Sequence, residues 1–267
     1  MGLAYLLIAF FTSLVGAICG IGGGVIIKPT LDMMGTVNLQ TANFLSSCTV
    51  ISMALVSVGT TFADKRGDID TARSTPLATG AVLGGVAGGR LFSLMWIISP
   101  DVNTLGVIQS MSMLLLTVAV IIYTLLRDRG RVALRNVNSK AICLAAGLAL
   151  GVVSGFLGIG AGPFNLMVLS WLFSMENTVA VKNSLYIILL SQIANLCGLF
   201  ISKTIPAFDG ILLSLMIFGG ILGGMAGRAV NKRIGDRAVS RLFIGLMVGI
   251  SALCAYNVLV FWQGIPT

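Results

Sequence analysis

The chain has 267 residues, of which 57% are hydrophobic and 10% charged, with a mean hydropathy of +1.00. A soluble domain is about a quarter charged, whereas here the apolar residues gather in blocks of roughly 20, long enough to cross a ~30 Å hydrocarbon core; a soluble fold is excluded. The net charge of +8 lies mostly in short connectors, where Lys and Arg set membrane orientation, which argues against nucleic acid as a partner.

Apolar blocks run over residues 3–27, 40–62, 75–98, 104–126, 139–172, 178–201, 208–230 and 238–262. The first has no basic stretch before it and no small-residue cleavage site, so it reads as a retained segment. The fold class expected is all-α and integral to a membrane, with eight hydrophobic segments in two four-segment repeats. The N-terminal repeat is placed at 1–126, a basic cytoplasmic loop at 127–138 and the C-terminal repeat at 139–267. No histidine occurs, which excludes His metal sites, Ser-His catalysis and histidine proton relays. The five cysteines (Cys19, Cys48, Cys143, Cys197, Cys254) are scattered singly and read as small buried hydrophobes. No cofactor is expected.

The repeat rests on register. Gly20, Gly22 and Gly24 recur 138 residues later as Gly158, Gly160 and Gly162, and Ala42 and Ser46 recur as Ala180 and Ser184. After one inserted residue, Gly80, Gly84, Gly85 and Gly88 match Gly219, Gly223, Gly224 and Gly227.

The first block of each half carries a glycine break, Gly20-Ile21-Gly22-Gly23-Gly24 and Gly158-Ile159-Gly160-Ala161-Gly162-Pro163. If every block were a simple span, one of the basic loops 127–140 and 228–241 would lie outside, against the positive-inside bias. If each broken block enters, turns at the glycines and leaves on the same side, the halves are inverted. Loops 64–73, 127–140 and 228–241 then fall in the cytoplasm, and both termini, Asp101 and the 203–208 turn fall outside.

Breaks free backbone groups that lipid cannot satisfy, and half-helix N-termini at such breaks present positive dipole ends to anions. Candidate substrate-binding residues at the breaks are therefore Gly22, Gly23, Gly24, Gly160 and Gly162, with Asn165 in the first turn after the second. Tight helix crossing would also explain these glycines. Asn43, Ser46, Asn183 and Ser184, at the starts of the next blocks, could hydrogen-bond an oxyanion or a neighbouring helix's backbone. Lys28 and Lys182 lie beside the breaks, and a buried charge faces a cavity or a partner. Basic residues without buried acidic partners favour an anionic substrate. Arg90 and Arg228 are secondary candidates, also readable as helix-end residues reaching to the interface. The rows Gly80/Gly84/Gly88 and Gly219/Gly223/Gly227 read as close helix packing, between the repeats.

The doubled G-x-G-G-G break with Pro29 after its first copy, the A-x-x-x-S helix starts and the G-x-x-x-G-G-x-x-G blocks resemble the sulfite exporter TauE/SafE family over essentially the whole chain. The resemblance implies a multi-pass transporter of the cell (inner or plasma) membrane that moves a small sulfur-containing anion such as sulfite or a sulfonate. Ala161 in place of the middle glycine, and Met167 where the first copy has Pro29, mark the halves as not equivalent. Export by alternating access is expected. A proton- or sodium-coupled importer using Asp32 or Glu176, and an anion channel, are the alternatives. An enzyme is not expected, and a scaffold leaves the duplicated breaks unexplained. The partners expected are the anion and the bilayer, with the chain a monomer or homodimer.

Overall fold

The computed structural model describes residues 2–64, 69–98, 102–128, 137, 139–157, 162–203 and 205–263. Among the described residues there are ten α-helices: α1 (Gly2–Cys19), α2 (Gly24–Met34), α3 (Leu39–Ala63), α4 (Thr71–Ile98), α5 (Val102–Asp128), α6 (Lys140–Leu157), α7 (Gly162–Phe173), α8 (Asn177–Ile201), α9 (Gly210–Asn231) and α10 (Asp236–Trp262). The eight apolar blocks become ten helices because the first divides at its glycines and the fifth between Leu157 and Gly162. Seven of the helices are long and apolar enough to cross a membrane.

Apolar residues form the exterior as well as the core. Leu3, Leu7 and Phe11 of α1, Leu115 and Ile122 of α5, and Leu259 of α10 face outward, while Thr49, Gln109, Thr117, Asn165, Asn183 and Gln192 are buried. An apolar exterior suits lipid, and polar side chains turned inward find partners that lipid would not supply. This is a multi-pass membrane protein.

Each divided block folds as a helical hairpin. The hydroxyls of Tyr5, early in α1, and Thr36, just past α2, are hydrogen-bonded, so the chain returns to where it started. In the second half the Val137 amide, ahead of α6, donates to the Leu172 carbonyl near the end of α7 at 2.9 Å. The first turn-back uses left-handed backbone at Gly20 (φ 70°) and Gly22 (φ 72°), a region that side chains with a Cβ rarely enter. At the second, α7 starts at Gly162 with Pro163 in its first turn, where proline's missing N–H costs nothing.

The glycine rows join one half to the other. A Cβ at Gly80, Gly84 or Gly88 of α4 would strike the carbonyls of Leu144, Leu148 or Val152 of α6, and one at Gly219, Gly223 or Gly227 of α9 would strike those of Leu6, Phe10 or Leu14 of α1. Numbers rise together along both pairs, so each pair runs parallel. The packing expected between the halves is thus observed at both rows.

The helix ends sort onto two faces. On one, Asp64 after α3 meets Arg228 of α9, Arg127 of α5 meets Asn177 at the start of α8, and Asp236 at the start of α10 meets Thr178. On the other, Thr41 of α3 bonds Ala207 before α9, Phe44 lies against Phe208 at 4.9 Å between ring centres, and Gly106 of α5 abuts Phe261 of α10. Arg73, Arg127, Lys140, Arg228, Lys232, Arg233, Arg237 and Arg241 gather toward the first face, referred to below as the basic face. The α1–α2 hairpin has its open end on the opposite face, and the α6–α7 hairpin has its open end on the basic one.

Candidate functional site

The tips of the two hairpins meet inside the protein. Gly162 packs so closely on the Ile21 carbonyl that no Cβ could be placed there, and Gly20 lies against the backbone of Val181 in α8. A helix that stops inside a membrane protein leaves terminal carbonyls without intrahelical donors. Side chains from other helices supply them. Ser184 Oγ donates to the Gly20 carbonyl at 2.6 Å, and Asn231 Nδ2 of α9 donates to the Ile18 carbonyl at 2.7 Å.

Lys28 performs the same service at the second break. Its Nζ, on a residue only 4% exposed, donates to the Leu157 carbonyl at 2.6 Å and to Gln109 Oε1 at 2.9 Å. Gln109 Nε2 in turn donates to the Phe156 carbonyl at 2.9 Å. A cation at the C-terminus of α6 also suits the negative end of that helix dipole. Lys28 therefore ties the first hairpin to the break of the second.

The other sequence-derived candidates divide. Gly22, Gly23 and Gly24 form the buried first turn-back, with Gly23 capping α2. Asn165 is 1% exposed in the first turn of α7, and its Oδ1 has no partner among the described residues. Ser46 is buried and Asn43 half-buried in the first turns of α3, and Asn43 Oδ1 likewise has none among them. Asn183 is occupied elsewhere: its Oδ1 accepts from the Asp70 amide at 2.9 Å and from Ser74 Oγ at 2.7 Å, holding the start of α4 to α8. Lys182 is half-buried and has interactions of its own. Arg90 is exposed on α4. Arg228 pairs with Asp64 at 2.9 Å beside Lys232 at 2.6 Å; hydrogen bonds from Lys232 and Arg228 hold the Asp64 carboxyl below its ordinary range. Gly160 lies outside the described residues, as does most of the 127–138 loop.

Two small cavities approach the junction. One, of about 10 Å³, lies at the second break, lined by Lys28, Asp32, Gln109, Ser110, Leu157 and Asn257 among others. The other, of about 30 Å³, lies beside Cys19 at the end of α1, with Arg127, Tyr123, Ser170, Asn177 and Ser240 in its wall. The smaller has room for one water at most and the larger for about two. Sequence reading missed Gln109, Asn231, Asn257 and Arg127. The first three are isolated amides within or at the ends of apolar segments, a signal of interior placement without a motif; Arg127 was hidden in a run of basic loop residues.

Comparison with known proteins bears on this arrangement. The profile of the family described as Sulfite exporter TauE/SafE matches residues 5–253. The chain belongs to the TauE/SafE family. This family member is 22% identical over 263 residues to the Probable membrane transporter protein YunE of Bacillus subtilis (strain 168), a match covering 91% of this chain and 93% of the relative. No solved structure matches the chain. Family and fold together make the chain a membrane transporter.

Proposed function

We propose that this transporter carries a small sulfur-containing anion, such as sulfite or a sulfonate, out of the cell by alternating access. One observation carries the reading: two helical hairpins open on opposite faces and meet tip to tip inside the protein, with a small cavity that holds a cation in its wall beside each break. Irregular backbone in a membrane interior is tolerated where it is buried in protein or lines an aqueous path, and discontinuous helices at such junctions are where transporters hold substrate. Lys28 and Arg127 give each cavity one cation.

By the positive-inside rule the basic face is cytoplasmic, in the inner or plasma membrane. A monoanion leaving a negative interior gains about 2.3 kcal/mol per 100 mV, so export requires no coupling ion. Asp32, in the wall of the Lys28 cavity, favours a second reading in which a proton on its carboxyl drives import.

The test is flux into and out of proteoliposomes with labelled sulfite beside thiosulfate, a sulfonate and chloride. The account expects saturable sulfite movement with counterflow, accelerated by an imposed potential and indifferent to a pH gradient. Flux that requires the pH gradient replaces export with the Asp32 reading; flux that never saturates makes the protein a channel; movement of none of these anions removes the anion reading.

A further inference from the structure

The two cavities correspond position by position. Along α2 and α7, Lys28, Pro29 and Asp32 of one stand 138 residues before Leu166, Met167 and Ser170 of the other. Along α5 and α10, Ser110 and Met113 of the first stand 130 residues before Ser240 and Phe243 of the second, and Thr124 and Arg127 of the second stand 130 before Cys254 and Asn257 of the first. Each cavity is thus walled by one hairpin's returning helix and the two ends of the α5–α10 pair, and they reach opposite faces.

The chemistry of the two differs. In the first, Lys28 shares the wall with Asp32, and its ammonium is already bonded to Leu157 and Gln109. In the second, Arg127 is the one ionised side chain among the described lining residues. Its guanidinium commits Nη1 to Asn177 Oδ1 at 2.6 Å and Nη2 to the Met175 carbonyl at 3.3 Å, leaving part of its five-donor fork toward the cavity. The Tyr123 hydroxyl in the same wall is buried and has no partner among the described residues, and Ser170, 3% exposed, adds another hydroxyl. The neighbouring carboxylate, Asp236, does not line the cavity; its Oδ1 accepts from the Thr178 amide at 2.9 Å.

We infer that the cavity among α5, α7, α8 and α10 is an anion site of its own, with Arg127, Tyr123 and Ser170 as its ligands, that receives a small oxyanion of sulfur from the basic face before it reaches the hairpin tips. This rests on the transport reading above and adds a site to it. A planar guanidinium beside hydroxyl donors in a confined space favours a compact oxyanion over chloride, because it matches two oxygens at once.

Full-length protein in nanodiscs, titrated calorimetrically with sulfite, sulfate and chloride, tests it, with sulfite flux measured on the same preparations. Arg127→Gln is expected to weaken sulfite binding about tenfold or more, the worth of a charge-assisted hydrogen bond. Because that change also removes the contacts to Asn177 and Met175, Tyr123→Phe is the companion: it deletes a hydroxyl with no partner among the described residues, leaves melting unchanged and weakens sulfite about threefold or more. Wild-type affinity in a folded Tyr123→Phe or Arg127→Gln protein, with wild-type flux intact, overturns the site and leaves the transport reading standing. Absence of both sulfite binding and flux in the wild type overturns both.

Discussion

Ser184, Asn231, Gln109 and Lys28 bring side-chain donors to carbonyls at the inner ends of two helices. In water each exposed carbonyl would find a solvent partner; within a membrane protein an orphan carries its full desolvation cost. Ser184→Ala would strand the Gly20 carbonyl beside Val181. It is expected to lower stability by about 1–3 kcal/mol, seen as an earlier melt in detergent, while Ser184→Thr keeps the hydroxyl and recovers part of the loss. Equal melting of Ser184→Ala and wild type would mean that water already serves that carbonyl. Ser184 was legible in the sequence as a matched position after each break, but the choice between oxyanion and backbone was not. That choice depends on which residue stands 164 positions away, and no local spacing records it. The same holds for Lys28: its place beside a break was readable, its bond to Leu157, 129 residues on, was not.

Among elements, the sequence was more informative. The glycine breaks predicted the ends of α1 and α6 and the starts of α2 and α7, because a run of glycines with a proline behind it has few ways to remain helical. The rows Gly80/Gly84/Gly88 and Gly219/Gly223/Gly227 announced close packing, since removing Cβ every fourth residue clears one helix face. Each row meets the first helix of the other half. Gly84→Leu would drive its side chain into the Leu148 carbonyl of α6 and is expected to prevent stable assembly, read as loss of the monodisperse peak in size-exclusion chromatography. Gly59→Ala, where nothing lies within 4 Å of the added carbon, is the control; relief of glycine's backbone entropy should leave stability unchanged or raise it by up to about 1 kcal/mol. A Gly84→Leu protein that purifies and melts like wild type would show that the α4–α6 contact is dispensable.

For the whole molecule, the distribution of charge and the return of both hairpins point to the same arrangement. The α1–α2 hairpin opens on the face opposite the basic residues and the α6–α7 hairpin on the basic face, so the two hairpins face one another across their tips. Charge bias in the loops is what led the sequence to be read as inverted halves, since Lys and Arg are held to one side. The cavities themselves were not readable: they form where α2, α5, α7 and α10 converge, and their walls are drawn from both halves. Ser110 and Ser240 occupy corresponding positions in the two cavities, which makes them reporters of the central claim that the molecule presents one cavity to each side. Single cysteines placed at 110 and at 240, with the five native cysteines replaced, would be labelled with a membrane-impermeant thiol reagent applied to right-side-out and inside-out vesicles. The account predicts that Ser110→Cys reacts from outside, Ser240→Cys from the cytoplasmic side, and that sulfite slows both; labelling of the two positions from the same side would contradict it.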